Sequence, residues 1–585
     1  MAQTATINPD VLDNNVIPKK GHPKGLYVLF ATEMWERYNY YGMRAILVLF
    51  MTKALLFDKV FASNLYGSYT SLVYLTPLVG GYISDRYWGN KRSIIAGGLV
   101  MALGEFVLFF CASLYKSAPD ISSILFFTGL GLMIAGNGFF KPNISSMVGQ
   151  LYPKGDRRTD AAYTIFYMGI NVGGALGPFI CGLVGDTGNP ADFKWSFLVA
   201  GIGMLISVVV QKAFQSKYVK SPEGMPLGDV PAKAPKQFSN PVYIVAGLLF
   251  FSAVLIGLLY IDAKVFSYLT YLLIASVLFI AFVIFSDKSL NSIERQRIGV
   301  IFIVAFFVIF FWSAFEQAGA SLTFFAEEQT NRKIGLKIPV WSVVAVSLLF
   351  LYYVVTLFKK VSKNLGTAYD KQLRGTIYVL LAILAASVVI GNIYVLSLGQ
   401  QSIGKDEIPA SWFQSLNSIF VVTFAPVFAW LWLKMGKREP TSPFKMAIGL
   451  LLLAVGYLWI AFGVKNVQPG IKVSMIWLTG MYALHTWGEL SLSPIGLSLV
   501  NKLAPFKFAS LLMAVWFLAN AAANKLAGVL SALYPEAGKT TSFLGYQMTN
   551  LFDFFMLFLG MAGIASLILF LLTGKLKKMM HVNVS

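Results

Sequence analysis

Sixteen apolar segments, separated by short polar loops, set what this chain can fold into. They run approximately over 26–56, 61–84, 93–115, 121–149, 160–185, 195–214, 241–261, 265–286, 298–326, 338–358, 375–398, 411–433, 444–464, 473–500, 508–533 and 547–573. A bilayer core takes a helix of about twenty apolar residues. Inside lipid each backbone N–H and C=O must be bonded within its own segment, which leaves helices as the spanning element here. Composition agrees. Of 585 residues 57% are hydrophobic and only 13% charged, about half the ~25% charge of a soluble domain. The reading is an all-α polytopic membrane protein.

The net charge of +20 raises the question of nucleic acid. The basic residues are instead spread over alternate short loops, as in Arg86, Lys91 and Arg92, or Lys434, Lys437 and Arg438. That bias marks cytoplasmic loops, so both termini are expected in the cytoplasm and no nucleic-acid partner is expected. The two cysteines, Cys111 and Cys181, lie in apolar segments, with no disulfide framework or CxxC motif. Three histidines without an HExxH motif point to no metal and no cofactor. No nucleophile–base pair suggests an enzyme. The polar start up to Lys24 lacks the apolar region of a cleavable leader.

The first segment is unusual. Glu33, Glu36, Arg37, Tyr40, Tyr41 and Arg44 recur at helical spacing and form one face. Ionisable groups at that depth are expensive and normally face a protein interior or a wet cavity. A buried structural ion cluster is one reading; two acids, two arginines and two tyrosines on one stripe favour a transport pathway. The other face, with Trp35, Met43 and Leu47, can meet lipid or a neighbouring helix. Elsewhere Lys141 is a lone cation and Glu316 a lone acid in apolar segments, so a mutual pair, or a shared network with Arg44, is the least costly arrangement. His485, Glu489 and Ser493 fall at i, i+4 and i+8, followed by Pro494. Asn171 and Asn417 are amides with several hydrogen bonds to make, for which a helix–helix bond is the plain alternative. His485 alone reads as structural, as do Glu105 and Lys525.

Several stretches resemble one family. Gly80-Gly81-Tyr82-Ile83-Ser84-Asp85-Arg86-Tyr87-Trp88-Gly89-Asn90-Lys91-Arg92 looks like the loop signature of the major facilitator superfamily, with Asp85 able to sit at the next helix's N-terminus. Glu33-xx-Glu36-Arg37-Tyr38-x-Tyr40-Tyr41-Gly42 resembles the first-helix signature of proton-dependent oligopeptide transporters, a branch of that superfamily, with Tyr38 where Phe is usual. Phe166 to Gly173, Gly136 to Asn143, Phe311 to Gln317, Ser411 to Asn417 and His485 to Pro494 resemble further helices of the same family in order.

The resemblance implies a major facilitator fold: two six-helix bundles plus inserted helix pairs, 14–16 spans in all. The expected division is a cytoplasmic tail 1–25, a first bundle 26–214, a linker 215–240 without a fold of its own, and an inserted pair 241–286. Then come the first helix of the second bundle at 298–326, a second inserted pair at 338–398, the rest of that bundle at 411–573 and a tail 574–585. Both inserted pairs look lipid-facing and neither looks like a site. The second pair could instead fold back at the membrane surface.

The implied function is proton-coupled import of di- and tripeptides by alternating access. By similarity, Arg44 and Lys141 receive the substrate carboxylate, Glu489 with Asn171 and Asn417 receives its ammonium group, and Ser493 is a further substrate-binding residue. Tyr40, Tyr41 and Tyr74 line the pocket, which Trp312 and Trp516 close. Glu33, Glu36, Arg37 and Glu316 handle protons. Gly67 stands where some relatives carry a proton-handling histidine, which leaves protons to the carboxylates. The absence of a large domain near 465–472 favours a bacterial inner-membrane protein, expected as a monomer in the lipid bilayer. The alternative is the same fold importing another small anion or zwitterion.

Overall fold

The computed structural model describes residues 21–153, 155–156, 158–231, 241–265, 268–363, 402–468, 470–536 and 538–581, with a few positions between 382 and 399. Fifteen long helices account for most of these residues. They are α1 (Lys24–Lys53), α2 (Lys59–Ile83), α3 (Asn90–Leu114), α4 (Pro119–Gln150), α5 (Arg158–Gly185), α6 (Phe193–Tyr218), α7 (Pro241–Val265), α8 (Tyr268–Phe285) and α9 (Ser292–Phe315). After a short α10 (Ser321–Glu328) follow α11 (Val340–Lys363), α12 (Phe413–Met435), α13 (Ser442–Val464), α14 (Met475–Leu503), α15 (Ala509–Ser531) and α16 (Leu551–Met580). The eleventh predicted segment, 375–398, lies for the most part outside the described residues.

Helix starts follow local chemistry. Asp58 caps α2 by accepting the Phe61 N–H at 2.8 Å, Asn291 and Glu294 form a reciprocal capping box on α9, and Asn550 caps α16. Each satisfies backbone donors that a helix leaves open at its first turn. No side chain caps α3, so Asp85, which is exposed, does not take the place foreseen for it. The Lys91 N–H instead donates to the Gly228 carbonyl at 2.9 Å. The first part of the linker is therefore ordered, contrary to expectation. Val219 to Leu227 turn back on themselves through Ser221–Met225 and Leu227–Val219 backbone bonds, and the linker docks on the α2–α3 loop.

Helices α1 to α6 pack together as one bundle, and α9 with α12 to α16 as another. The bundles meet chiefly along α2 with α15 and α5 with α12. Within the first bundle α1 and α5 touch at backbone distance. A Cβ on Gly173 would come within 2.2 Å of the Met34 carbonyl oxygen, and one on Gly177 within 2.4 Å of that of Tyr38, so glycine is required at both. Met43 and Leu47, on the far face of α1, are fully buried; they meet neighbouring helices rather than lipid.

The segment foreseen as one helix over 298–326 is broken. Helix α9 ends at Phe315, Glu316–Gly319 forms a single 3-10 turn, and α10 follows. The Gln317 side chain supplies the bonds the break costs. Its amide donates to the Ser313 and Ala527 carbonyls, each at 3.0 Å, and its oxygen accepts from Ser321 and Ser531. Glu316 is thereby placed at a helix end in mid-protein.

Short strands gather on the predicted outer face. β1 (Thr330–Asn331) runs into β2 (Lys333–Pro339), which pairs antiparallel with β3 (Ser402–Glu407) at either end of the second insertion. β4 (Val473–Ser474) lies parallel to β1, and β5 (Thr541–Phe543) forms a hairpin with β6 (Tyr546–Met548). The β2–β3 ribbon was not foreseen. The first inserted pair is only partly lipid-facing: many of its side chains are exposed, but α7 packs on α4 and α2, and α8 on α15.

Candidate functional site

The polar stripe of α1 divides into two clusters. The lower one stays within the first bundle. Glu36 accepts two bonds from the Arg37 guanidinium, at 2.5 and 2.7 Å, and one from the Asn137 amide at 3.3 Å. Arg37 also lies 3.3 Å from Glu33, and Glu33 accepts from Lys141 of α4. Two acids and two bases cancel here; Glu33 and Glu36 are fully buried, while the Lys141 side chain is 29% exposed. Buried charges persist only when paired and hydrogen-bonded, as these are.

Higher on α1, Arg44 reaches across to the second bundle. Its guanidinium donates to Glu316 at the α9 break and to the Tyr66 hydroxyl of α2. The Arg44 guanidinium also sits 5.8 Å from the Tyr41 ring centre, and that of Arg37 5.2 Å from Tyr40, close enough for cation–π attraction. Of the two arrangements expected for Lys141 and Glu316, the mutual pair does not form, while Glu316 does join Arg44. Each takes a different partner on α1, because the stripe offers Glu33 near α4 and Arg44 near α9.

A cavity opens between the bundles beside this second cluster. It takes in about 670 Å³ when the open solvent at its mouth is counted, and is lined by residues of α1, α2, α9, α12 and α14. Arg44, Glu316 and Glu489 supply its charges, Gln414 and Asn417 its amides, and Tyr41, Tyr74, Trp312 and Tyr482 its aromatic walls. Glu489 is 8% exposed and accepts from the Asn417 amide at 2.8 Å, with the Tyr167 hydroxyl at 3.5 Å. Among the described residues no lysine or arginine forms an ion pair with it. The cavity thus holds a satisfied cation–anion pair and a carboxyl without a cation.

Other foreseen residues lie elsewhere. Lys141 and Tyr40 stand outside the lining, the latter buried with its hydroxyl unpaired. The Asn171 amide donates to the Tyr167 carbonyl of its own helix at 2.9 Å, and Trp516 is enclosed in the apolar core. The Ser493 side chain is outside the described residues. Gln414, Ser418, Tyr482 and His485 do line the cavity and were not assigned to it. Spacing carried a signal for them: Gln414 and Ser418 flank Asn417 on one helical face, and Tyr482, His485 and Glu489 follow at i, i+3 and i+7. His485 packs against the Tyr457 ring at 4.8 Å between centres. Glu105 bonds the Asn39 amide at 2.9 Å inside the first bundle. Among the described residues no group of three or more His, Cys, Asp or Glu is arranged to hold a metal.

A charged stripe on α1, a cross-bundle Arg–Glu pair and a cavity between two helical bundles are what a rocking transporter requires. The sequence model described as the POT family, PTR2, matches residues 91–389 and 392–548. The chain belongs to the POT family. It is 31% identical to the peptide transporter YePEPT of Yersinia enterocolitica, over 87% of this chain and 88% of that one. It is 30% identical to a di-/tripeptide transporter of Lactococcus lactis subsp. cremoris, over 88% and 90%. Among solved structures, a mutant of the peptide transporter POT in complex with alafosfalin superposes with a TM-score of 0.70 at 29% identity, covering 96% of this chain and 97% of that one. The fold of this POT member is thus of the major facilitator type, and it is a multi-pass membrane protein.

Proposed function

We propose that this POT member is a proton-coupled symporter importing di- and tripeptides across a bacterial inner membrane, as a monomer with both termini cytoplasmic. The observation that carries the reading is the charge layout of one cavity: Glu489 without a cation among the described residues, and Arg44 paired with Glu316 across the bundles. A zwitterionic peptide fits both. Its ammonium group gives Glu489 a partner, with Asn417 beside it. Its carboxylate gives Arg44 one whenever Glu316 lets go.

Proton coupling follows from the same pair. An ionised Glu316 holds Arg44. A protonated one has lost its charge, which leaves Arg44, on the cavity wall, open to another anion. The substrate carboxylate then takes the place of Glu316, so proton and peptide load together. Release of the proton restores the pair and expels the carboxylate. In this scheme Glu33, Glu36, Arg37 and Lys141 form a second carboxylate store on the same helix, and the adaptable aromatic walls explain tolerance of many side chains. The names of the relatives support the substrate class, since two are called peptide or di-/tripeptide transporters.

The test is uptake of labelled Ala-Ala into proteoliposomes under an inward proton gradient, with and without a protonophore. Accumulation above equilibrium that collapses with the protonophore is expected. With Glu33→Gln, accumulation should vanish while peptide exchange survives. Monodisperse protein that neither takes up nor exchanges Ala-Ala would turn the reading toward another small anion or zwitterion.

A further inference from the structure

The polar groups of the cavity leave one buried ion pair unused. Near the outer end of α7, Asp262 accepts from Lys525 of α15 at 2.6 Å and from the Ser68 hydroxyl of α2. Lys525 also donates to Ser68 Oγ at 2.7 Å. The two charged side chains are 2% and 3% exposed. Three parts of the protein meet here: the first bundle through α2, the second through α15, and the first inserted pair through α7. The second Asp262 oxygen accepts the Leu269 N–H at 2.9 Å, so the same carboxylate fixes the turn from α7 into α8.

The neighbouring backbone shows what this junction spans. A Cβ on Gly67 would lie 2.7 Å from the Gly528 Cα, and one on Gly528 would lie 2.6 Å from the Ser63 carbonyl oxygen. Helices α2 and α15 are therefore sealed against each other on the predicted outer face, with no side chain between them. The inserted pair straddles this seam, α7 resting on α2 and α4, and α8 on α15. Opening the outer face means parting α2 from α15. That motion breaks Lys525 from Ser68. It also either breaks Lys525 from Asp262 or drags α7 off α2.

We propose that Asp262, Lys525 and Ser68 form a latch across the outer seam, and that the inserted pair α7–α8 serves to hold the latch acid in place. These are positioning residues: they touch no substrate, and they set how much of the protein rests closed on the outside. The inference rests on the transport reading only for its purpose; the latch itself concerns the distance between bundles. A buried charge that loses its partner is strongly unfavourable, so the intact pair weights the balance toward the closed outer face.

The experiment places spin labels on the full-length protein at Ile121→Cys and Ile476→Cys, exposed outer positions on the two bundles at 54% and 57%. The native Cys111 and Cys181 are fully buried. Label–label distances are measured by pulsed electron resonance in the intact protein without peptide. The variants are Asp262→Asn, Lys525→Met and the double change. Asparagine keeps an oxygen for the Leu269 N–H, and the double variant removes both charges, so it folds even where a single one does not. The expected result is a longer-distance population raised roughly tenfold or more in the single variants that fold, and a clear rise in the double. Monodisperse double variant with the wild-type distance distribution would overturn the latch. A shift in distances with no Ala-Ala uptake by the wild type would leave the latch standing and remove the peptide reading instead.

Discussion

Two charge clusters sit on one helix of this POT protein, about two turns apart, and they are built to opposite ends. Around Glu33, Glu36 and Arg37 the partners come from α1 and α4, both in the first bundle. Around Arg44 the acid comes from the α9 break, in the second. The first cluster can stay closed whatever the bundles do relative to each other. The second must open when they part. Neither Arg37 nor its acids line the cavity, whereas Arg44 and Glu316 do. Similar residue types therefore form a joint within one bundle in one place and a joint between bundles in the other. What separates them is which bundle the partner belongs to and whether the group lines the cavity.

The sharpest way to break that contrast is Arg37→Met. It strands Glu36 in a closed space, and losing one member of a buried pair costs about 3–5 kcal/mol. The expected result is a marked fall in the melting temperature of the detergent-purified protein. Glu316→Gln should behave differently. Arg44 faces the cavity, so water or substrate can replace the lost acid; the melting temperature should move little. Gradient-driven Ala-Ala uptake should drop roughly tenfold or more while exchange persists, since a group that cannot change charge no longer links the proton to the pair. Equal thermal losses in the two variants would erase the distinction.

Next in size is Glu489→Gln. A charge-assisted hydrogen bond contributes about 1.5–3 kcal/mol, so KM for Ala-Ala should rise on the order of tenfold or more with folding intact. The smallest effect belongs outside the membrane. Lys507 and the Ser289 hydroxyl and N–H hold the Asp287 carboxyl down at about 2. Its contribution is present above the ordinary carboxylate range and is lost only as pH falls toward 2. Asp287→Asn should therefore leave melting curves at pH 7 almost unchanged, and remove a small acid-range slope detectable by titrated thermal scans.

Much of this was legible beforehand, for definable reasons. Apolar length gave the spans, because bilayer thickness is a hard constraint. Helical spacing placed Glu33 to Arg44 on one face. Which acid meets which base was not legible: Lys141 and Glu316 look equally lonely in one dimension, and only the helix arrangement sends one to Glu33 and the other to Arg44. The α9 break was hidden because Gln317, inside it, finds its partners at Ala527 and Ser531, far along the chain. Asp262 was overlooked for a related reason. It falls at the edge of a bland segment, where a polar residue reads as part of a turn. Its partner is 263 residues away.

The glycine contact between α1 and α5 has a mechanical consequence. Backbone lies against backbone at Gly173 and Gly177, with Phe30 and Cys181 side chains locked against glycines on either side, so the two helices swing together. Helix α5 has 28 residues, about 42 Å of rod, and a swing of some ten degrees about its middle carries each tip through an arc of roughly 4 Å. Tyr163, near one tip, would ride most of that arc. A rearrangement of a few ångströms around Arg44 is thus returned at the far face of the membrane by a stiff lever, without any signal passing from side chain to side chain.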